Sequence, residues 1–133
     1  MNYSVLMSVY AKDKSDYLIT AIESMLKQTI KPEQFVIVQD GTVGDEIQNI
    51  LKHYETKYPS LFTIVRLKEN GGLANALNHG LQECRNELVA RMDADDISLP
   101  ERCEKELKKF EENPELVKLK PSQGHNNTII NGI

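Results

Sequence analysis

Three carboxylates follow a short apolar run in the segment 88–96, whose sequence is LVARMDADD. Apolar residues followed by acids are typical of a buried strand that opens into a loop, where open α/β sheets bind their ligands. In extended backbone, Asp93 and Asp95 would point to the same side. Two carboxylates that leave room for water and phosphate oxygens suit a hard divalent cation. The pattern therefore favours a metal-bridged diphosphate site.

The tripeptide Asp93-Ala94-Asp95 by itself leaves other interpretations of these acids open. A D-x-D pattern by itself is more often a solvated loop with the N-cap of the next helix. A calcium loop would need acids at its first, third and twelfth positions, which Asp93, Asp95 and Glu104 provide. However, Ile97 and Ser98 stand where that loop requires a ligand and a glycine.

Length and composition restrict the class of protein. The chain has 133 residues, 40% hydrophobic residues and 27% charged residues, which is typical of one globular domain with a substantial core. The net charge of -4 argues against nucleic-acid binding, because that function needs clustered lysine and arginine.

The chain shows no sign of export. No apolar stretch reaches the roughly 20 residues of a membrane span, and the first residues lack the basic and apolar regions of a signal peptide. Cys84 and Cys103 fit no C-x-x-C pattern and are expected to be reduced, partly buried thiols. These features predict a cytoplasmic protein.

Strand and helix patterns alternate along the chain. Helical spacing of apolar residues predicts a helix after each of four strands, and Pro100 should begin the fourth helix. Four βα units with short connections predict an α/β fold with a parallel sheet, so all strand ends should share one edge. The predicted strands are the nearly continuous apolar runs 4–10, 35–38, 63–67 and 88–92. In the third helix the residues expected to face inward are Leu73, Ala76, Leu77, Gly80 and Leu81.

Polar or glycine residues follow each predicted strand. Each has a structural explanation by itself, since Tyr10 could cap the core and the glycines could serve turns. Folding alone does not require such residues in four separate loops at one edge, so we favour a nucleoside diphosphate site. Asp40 would accept from the base and Tyr10 would stack on it, while Asp93 would hold the ribose. The residues in question are Tyr10, Asp40-Gly41-Thr42, Asn70-Gly71-Gly72 and Asp93 to Asp96.

Five ordered blocks also carry a resemblance to a known family. They are SVLMSVY at 4–10, AIESMLKQT at 21–29, FVIVQDG at 35–41, NGGLANALNHG at 70–80 and RMDADD at 91–96, closed by Pro100-Glu101-Arg102. Over roughly residues 3–117, the chain resembles the nucleotide-binding half of an inverting family 2 glycosyltransferase with the GT-A fold.

The resemblance implies a truncated, GT-A-like three-layer α/β/α sandwich with a mainly parallel, Rossmann-like sheet. It implies a nucleotide-diphosphate sugar as donor, with a UDP-sugar expected, and Mg²⁺ or Mn²⁺ as cofactor. The acceptor would be a sugar or a lipid-linked molecule, in polysaccharide or lipopolysaccharide biosynthesis. The implied nucleotide-binding residues are Val9, Tyr10, Asp40, Gly72 and Asp93, and the implied metal ligands are Asp95 and Asp93.

The sequence departs from the family pattern at several positions. Gln39 stands where many members have a second acid. Asn75 and Leu77 lie near where many members carry arginine or lysine, so a donor-phosphate contact is altered or missing. Lys68 or Arg91 could neutralise phosphate instead, although each could equally be a surface charge.

Residues 118–133 break the family-like pattern and show no periodicity. We expect a truncated or frame-altered product with a foreign or disordered tail, in which residues 1–117 form the nucleotide-sugar-binding part. The catalytic base and the acceptor surface, which the resemblance places after the D-x-D element, would then lie beyond this fragment. A missing acceptor half would expose an apolar surface and so predicts a homo-oligomer. Membrane association of the full-length protein is also compatible with this interpretation.

Two function classes follow from these expectations. One is an inverting glycosyltransferase, and the other is a truncated nucleotide-binding module without transfer activity. A phospho-receiver domain shares the βα alternation, but the first strand ends without the pair of acids that such a site needs.

Overall fold

The structure is a computed structural model that describes residues 2–112 and 128–131. Strands and helices alternate as the sequence predicts. The strands are β1 Tyr3–Val9, β2 Gln34–Asp40, β3 Phe62–Leu67, β4 Leu88–Asp93 and β5 Thr128–Asn131. The helices are α1 Ser15–Leu26, α2 Asp45–Lys57, α3 Leu73–Glu83 and α4 Arg102–Glu112.

The strands form one sheet in the order β3-β2-β1-β4-β5, and each neighbouring pair is parallel. The chain moves from β1 outward to β3 and then crosses to the other side of β1 to form β4. The strand order therefore reverses between β1 and β4, which is where open parallel sheets form a ligand crevice. In this register Ser8 pairs with Val38 and with Asp93, so the carboxyl ends of three strands lie level.

Helices cover both faces of the sheet. Strand side chains alternate between faces, so Val5 and Met7 join a core cluster with α1, α2 and α4, whereas Leu6 joins a second cluster with α3. Every residue of β2 is buried, as expected of a strand covered on both faces. The predicted three-layer α/β/α sandwich with a mainly parallel sheet is confirmed.

Helix α3 lies unusually close to the sheet at Gly80. A Cβ atom at this position would collide with the side chain of Leu6 and would lie 2.8 Å from Cγ2 of Val38. The glycine lets the helix backbone approach β1 and β2 directly, which also brings the start of α3 over the carboxyl ends of these strands.

Two details of the predicted helices are wrong. Helix α4 begins at Arg102 rather than at Pro100, because the Pro100 carbonyl accepts from the Thr29 amide in the loop before the helix. Leu73 was expected to face inward but is 49% exposed. It is the first residue of α3, and its side chain lines an open cavity at the strand ends instead of packing into the core.

Of the C-terminal residues 118–133, the structure describes residues 128–131. The expected boundary at residue 117 lies outside the described residues. Thr128–Asn131, within the stretch for which no regular structure was expected, pair with β4 as a parallel strand. Ile129 packs against the α3 side of the core. None of the helices in the described ranges has the length and apolar composition that crossing a membrane requires.

Candidate functional site

A cavity of about 420 Å³ opens at the carboxyl ends of β1, β2 and β4. Its volume lies in the range of small-molecule sites, roughly 300–1,000 Å³. Five predicted site residues line it, namely Tyr10, Asp40, Gly72, Asp93 and Asp95. The lining is completed by Ser8, Asp13, Asn70, Leu73 and Ala94.

The cavity lies on the α3 side of the sheet, and strand alternation explains which residues reach it. Ser8, Asp40 and Asp93 are the strand residues that line it. Val9, also a predicted nucleotide contact, follows Ser8 and therefore faces the opposite side. It is fully buried in the core against α1, α2 and α4, so its side chain is not part of the cavity wall.

The acids after β4 form a tight turn rather than a continuing strand. The Asp96 amide donates to the Asp93 carbonyl at 3.1 Å, and the Asp93 amide donates to Oδ2 of Asp96 at 3.1 Å. Extended backbone between Asp93 and Asp95 is therefore wrong. The carboxylates converge nevertheless, because oxygens of all three acids lie within 4.8 Å of one another.

This carboxylate set fits a hard divalent cation. Within the described ranges no hydrogen bond involves the Asp95 carboxylate, whereas Oδ1 of Asp93 accepts from Nη2 of Arg91 at 3.1 Å. Carboxylate oxygens with open positions for water and phosphate are the ligands that Mg²⁺ and Mn²⁺ prefer. Asp96 was considered as a helix cap, but it closes the turn on Asp93 and lies six residues before Arg102, where α4 begins.

Asp40 is held rigidly at the end of β2. It is 4% exposed, and its Oδ1 accepts from the Gly71 amide at 2.9 Å while its carbonyl accepts from the Asn70 side chain at 3.3 Å. Gly41 has φ +88°, and a Cβ there would lie 2.7 Å from the Asn70 nitrogen. The loops after β2 and β3 are thus packed together, and this fixes the Asp40 carboxylate in the cavity wall.

Gly72 is the N-cap of α3 and has φ +92°. A Cβ atom at this position would meet nothing within 4 Å. The glycine is therefore required by the backbone conformation that starts α3, rather than by lack of space. The expected turn role is confirmed, and contact with a nucleotide stays a prediction.

Asp13 belongs to the same site, although its residue type and spacing did not single it out. It lies in the loop after β1, where its Oδ2 accepts from the Tyr10 amide at 2.9 Å and its own amide donates to the Tyr10 carbonyl at 3.1 Å. Burial raises the pKa of Asp13, the Tyr10 hydrogen bond lowers it, and the nearby charges of Asp95 and Asp93 raise it. The sequence offered one signal for Asp13, which is its position in the loop after the first predicted strand, at the expected binding edge.

The cavity is strongly acidic. In the part of the chain that the structure describes, four aspartates line it and no lysine or arginine does. Arg91, a candidate phosphate contact, pairs with Asp93. Lys68, the other candidate, lines a separate cleft with Arg66 at the end of β3. This lining would repel an anionic ligand, and a bound cation would offset that repulsion.

The chain is similar to known bacterial glycosyltransferases. It is 42% identical over 115 residues to the amylovoran biosynthesis glycosyltransferase AmsE of Erwinia amylovora, covering 86% of this chain and 42% of that protein. It is 37% identical over 102 residues to the UDP-Gal:alpha-D-GlcNAc-diphosphoundecaprenol beta-1,3-galactosyltransferase of Escherichia coli, covering 77% of this chain and 36% of that protein. The chain thus spans well under half the length of these relatives.

Solved structures share the fold. S. aureus TarS 1-349 in complex with UDP superposes with a TM-score of 0.72 at 26% identity, covering 93% of this chain and 37% of that chain. The mannosyltransferase PcManGT from Pyrobaculum calidifontis in complex with GDP-Man and Mn²⁺ superposes with a TM-score of 0.62 at 22% identity. The match covers 72% of this chain and 28% of that chain. The fold is therefore GT-A-like.

The family assignment rests on most of the chain. The model of glycosyl transferase family 2 matches residues 4–128, which include every strand end that lines the cavity. The expected resemblance is confirmed: this chain belongs to glycosyl transferase family 2.

Proposed function

We propose that this chain is the donor-binding part of an inverting glycosyltransferase. It binds a nucleotide-diphosphate sugar, with UDP as the expected nucleotide, together with Mg²⁺ or Mn²⁺. The sugar passes to a sugar or lipid-linked acceptor in polysaccharide or lipopolysaccharide biosynthesis. The observation that carries this proposal is the cavity at the strand ends, whose described lining contains four aspartates and no basic side chain.

The negative charge of the cavity is the reason that the proposal includes a cation. A diphosphate near Asp93 and Asp95 would be repelled, since two unit charges 4 Å apart interact by about 1 kcal/mol in water and about 4 kcal/mol near a protein surface. Asp93 and Asp95 would hold a divalent cation whose charge would offset this repulsion. The cation would supply Lewis-acid stabilisation of the departing diphosphate.

The remaining residues would orient the donor. Asp40 is buried and fixed, so its position suits recognition of a hydrogen-bond donor on the base. Tyr10 is 41% exposed at the cavity, so its ring is available for stacking. Asp93 and Asp95 line the same cavity as Asp40 and Tyr10. Asp93 would hold the ribose, and Asp95 would hold the cation beside the diphosphate.

The relatives support the proposed class of substrate. The Erwinia protein is named for amylovoran biosynthesis, and the Escherichia protein for transfer of galactose from UDP-Gal to a diphosphoundecaprenol-linked sugar. TarS was solved with UDP and PcManGT with GDP-Man and Mn²⁺. These names support a nucleotide-sugar donor and a divalent cation for this chain.

The proposal is tested by calorimetric titration of UDP, GDP and dTDP into the 133-residue chain, first with Mn²⁺ and then with chelator. We expect one nucleotide, UDP, to bind with Mn²⁺ and to lose its binding when the metal is removed. Absence of metal-dependent binding by all three, in a chain with a folded circular dichroism spectrum, would contradict the proposal.

Donor binding without transfer is a second candidate function. The proposal assigns Asp40 and Asp93 to the donor and Asp95 to the cation. It assigns no residue of the described lining to deprotonate an acceptor hydroxyl, as an inverting displacement requires. Slow hydrolysis of UDP-sugar without transfer would favour this candidate.

Replacement of Asp40 with alanine is expected to reduce selectivity for the base. The substitution removes the carboxylate that would accept from the base, so UDP affinity should fall by about tenfold, in line with the net value of a charged hydrogen bond. Any dTDP affinity should fall in the same proportion, because thymine has the same N3–H donor, while GDP affinity changes little. Calorimetry with the three nucleotides measures the effect. Equal losses for all three nucleotides would show that Asp40 supports the loops without reading the base.

A further inference from the structure

Asp13 links two parts of the cavity that the proposed function treats separately. Its carboxylate and its amide make reciprocal hydrogen bonds with the backbone of Tyr10, at 2.9 Å and 3.1 Å. These two bonds close the turn that follows β1. They therefore set where the Tyr10 ring stands at the base-binding end of the cavity.

The same carboxylate faces the cation end. Asp13 lines the cavity together with Asp93 and Asp95, and the charges of these two acids act on it. Without a cation, the exposed carboxylates of Asp93 and Asp95 repel the carboxylate of Asp13. A bound divalent ion would offset this repulsion, since its charge balances the charges of the two carboxylates that hold it.

We propose that Asp13 is a positioning residue that couples cation binding to base binding. A cation held by Asp93 and Asp95 would offset their repulsion of the Asp13 carboxylate, so Asp13 would keep its hydrogen bonds with the Tyr10 backbone more persistently. Base stacking on Tyr10 then improves even for a ligand that has no phosphate. This inference rests on the proposed function, because it requires a cation and a nucleotide in the same cavity.

Uridine separates this coupling from direct contact between metal and phosphate. It carries the base and ribose but no phosphate, so a metal effect on its affinity has to pass through the protein or the ribose. We expect Mg²⁺ to tighten uridine binding to the chain by about fivefold, the lower end of typical couplings between sites, as measured by NMR titration.

The Asp13→Asn variant isolates the contribution of charge. Asparagine retains an oxygen that accepts from the Tyr10 amide but does not respond to the cation, so the ratio of uridine affinities with and without Mg²⁺ should fall to about one. Asp16→Asn is the matched control. Asp16 is an exposed acid of the first turn of α1, its carboxylate accepts from the Tyr17 amide, and it does not line the cavity. The fivefold ratio should persist in this control.

A second readout uses the unmodified chain. The Tyr10 amide proton should shift downfield when Mg²⁺ is added without nucleoside, because a stronger charged hydrogen bond is shorter. An unchanged Tyr10 resonance, or an Asp13→Asn variant with the full metal effect on uridine, would overturn the coupling. If UDP binds with metal but uridine shows no metal dependence, only the coupling fails. If UDP shows no metal-dependent binding, the proposed function itself fails.

Discussion

Replacing Asp95 with alanine is expected to abolish metal-dependent nucleotide binding and leave the fold intact. Asp95 is exposed, and no hydrogen bond to its carboxylate occurs among the described residues, so its removal should change the free energy of unfolding by less than about 0.5 kcal/mol. Loss of a supporting residue around a metal commonly costs 10–100-fold in affinity, so loss of a ligand should weaken UDP binding in Mn²⁺ by at least about 100-fold.

Glu69→Ala provides the matched control for this prediction. Glu69 is an exposed acid in the loop before α3, at the same edge of the sheet, but it does not line the cavity. The control loses one negative charge near the site and should retain full metal-dependent binding. Calorimetry compares both variants with the wild-type chain. Unchanged UDP affinity in Asp95→Ala would exclude Asp95 as a cation ligand.

Replacement of Arg102 with methionine is expected to destabilise the fold by about 3–5 kcal/mol, the usual cost of breaking a buried ion pair. Arg102 is 7% exposed and donates to Glu106 at 3.1 Å, to Oγ of Ser98 at 3.1 Å and to the Arg91 carbonyl at 2.9 Å. Its loss leaves the carboxylate of Glu106, whose side chain is 15% exposed, with only the Lys109 charge, among the described residues, to oppose the effect of burial. The midpoint of urea unfolding measures the change.

The stability of the Arg102→Met variant should also depend on pH. Burial raises the pKa of Glu106, and the Arg102 charge opposes this shift. Without Arg102 the pKa rises further above the unfolded value, so the folded state binds more protons and stability falls as pH increases through the folded pKa. The variant should therefore lose more stability than the wild type as pH rises above the ordinary pKa of a glutamate.

Two variants test the origin of the Arg102 effect. Arg66→Met breaks an exposed pair with Glu55, in which the side chains are 45% and 40% exposed, and should cost no more than about 1 kcal/mol. The double variant Arg102→Met/Glu106→Leu removes both buried charges and should recover much of the lost stability. An Arg102→Met chain as stable as wild type would show that the ion pair contributes little.

Arg102 also shows how the site depends on the helix that follows it. Its guanidinium bonds to the carbonyl of Arg91, two residues before Asp93, and to Ser98, two residues after Asp96. The turn that gathers the acids is therefore held from both sides by one side chain on α4. The sequence block containing Pro100-Glu101-Arg102 indicated the family, but nothing in it predicts these contacts.

The sequence by itself determined the order of strands and helices and the edge that carries the site. Apolar runs of strand length, separated by helical spacing, can bury their surfaces only as a layered α/β fold, so the strand ends had to meet. Asp40 and Asp93 were found by this logic because Asp93 directly follows such a run and Asp40 follows another after one residue, and the cavity includes both.

Only the tertiary structure decided which face of the sheet carries the cavity. A shift of one residue in register moves a side chain to the other face, and this register places Ser8 beside Asp93 and sends Val9 into the core. The tertiary structure also decided that Asp13 lines the cavity with the other aspartates. A loop residue is placed by hydrogen bonds such as those to Tyr10, and periodicity does not predict them. The local pattern of apolar residues specifies the strands and helices. Which side chains meet in the cavity depends on how those strands and helices pack.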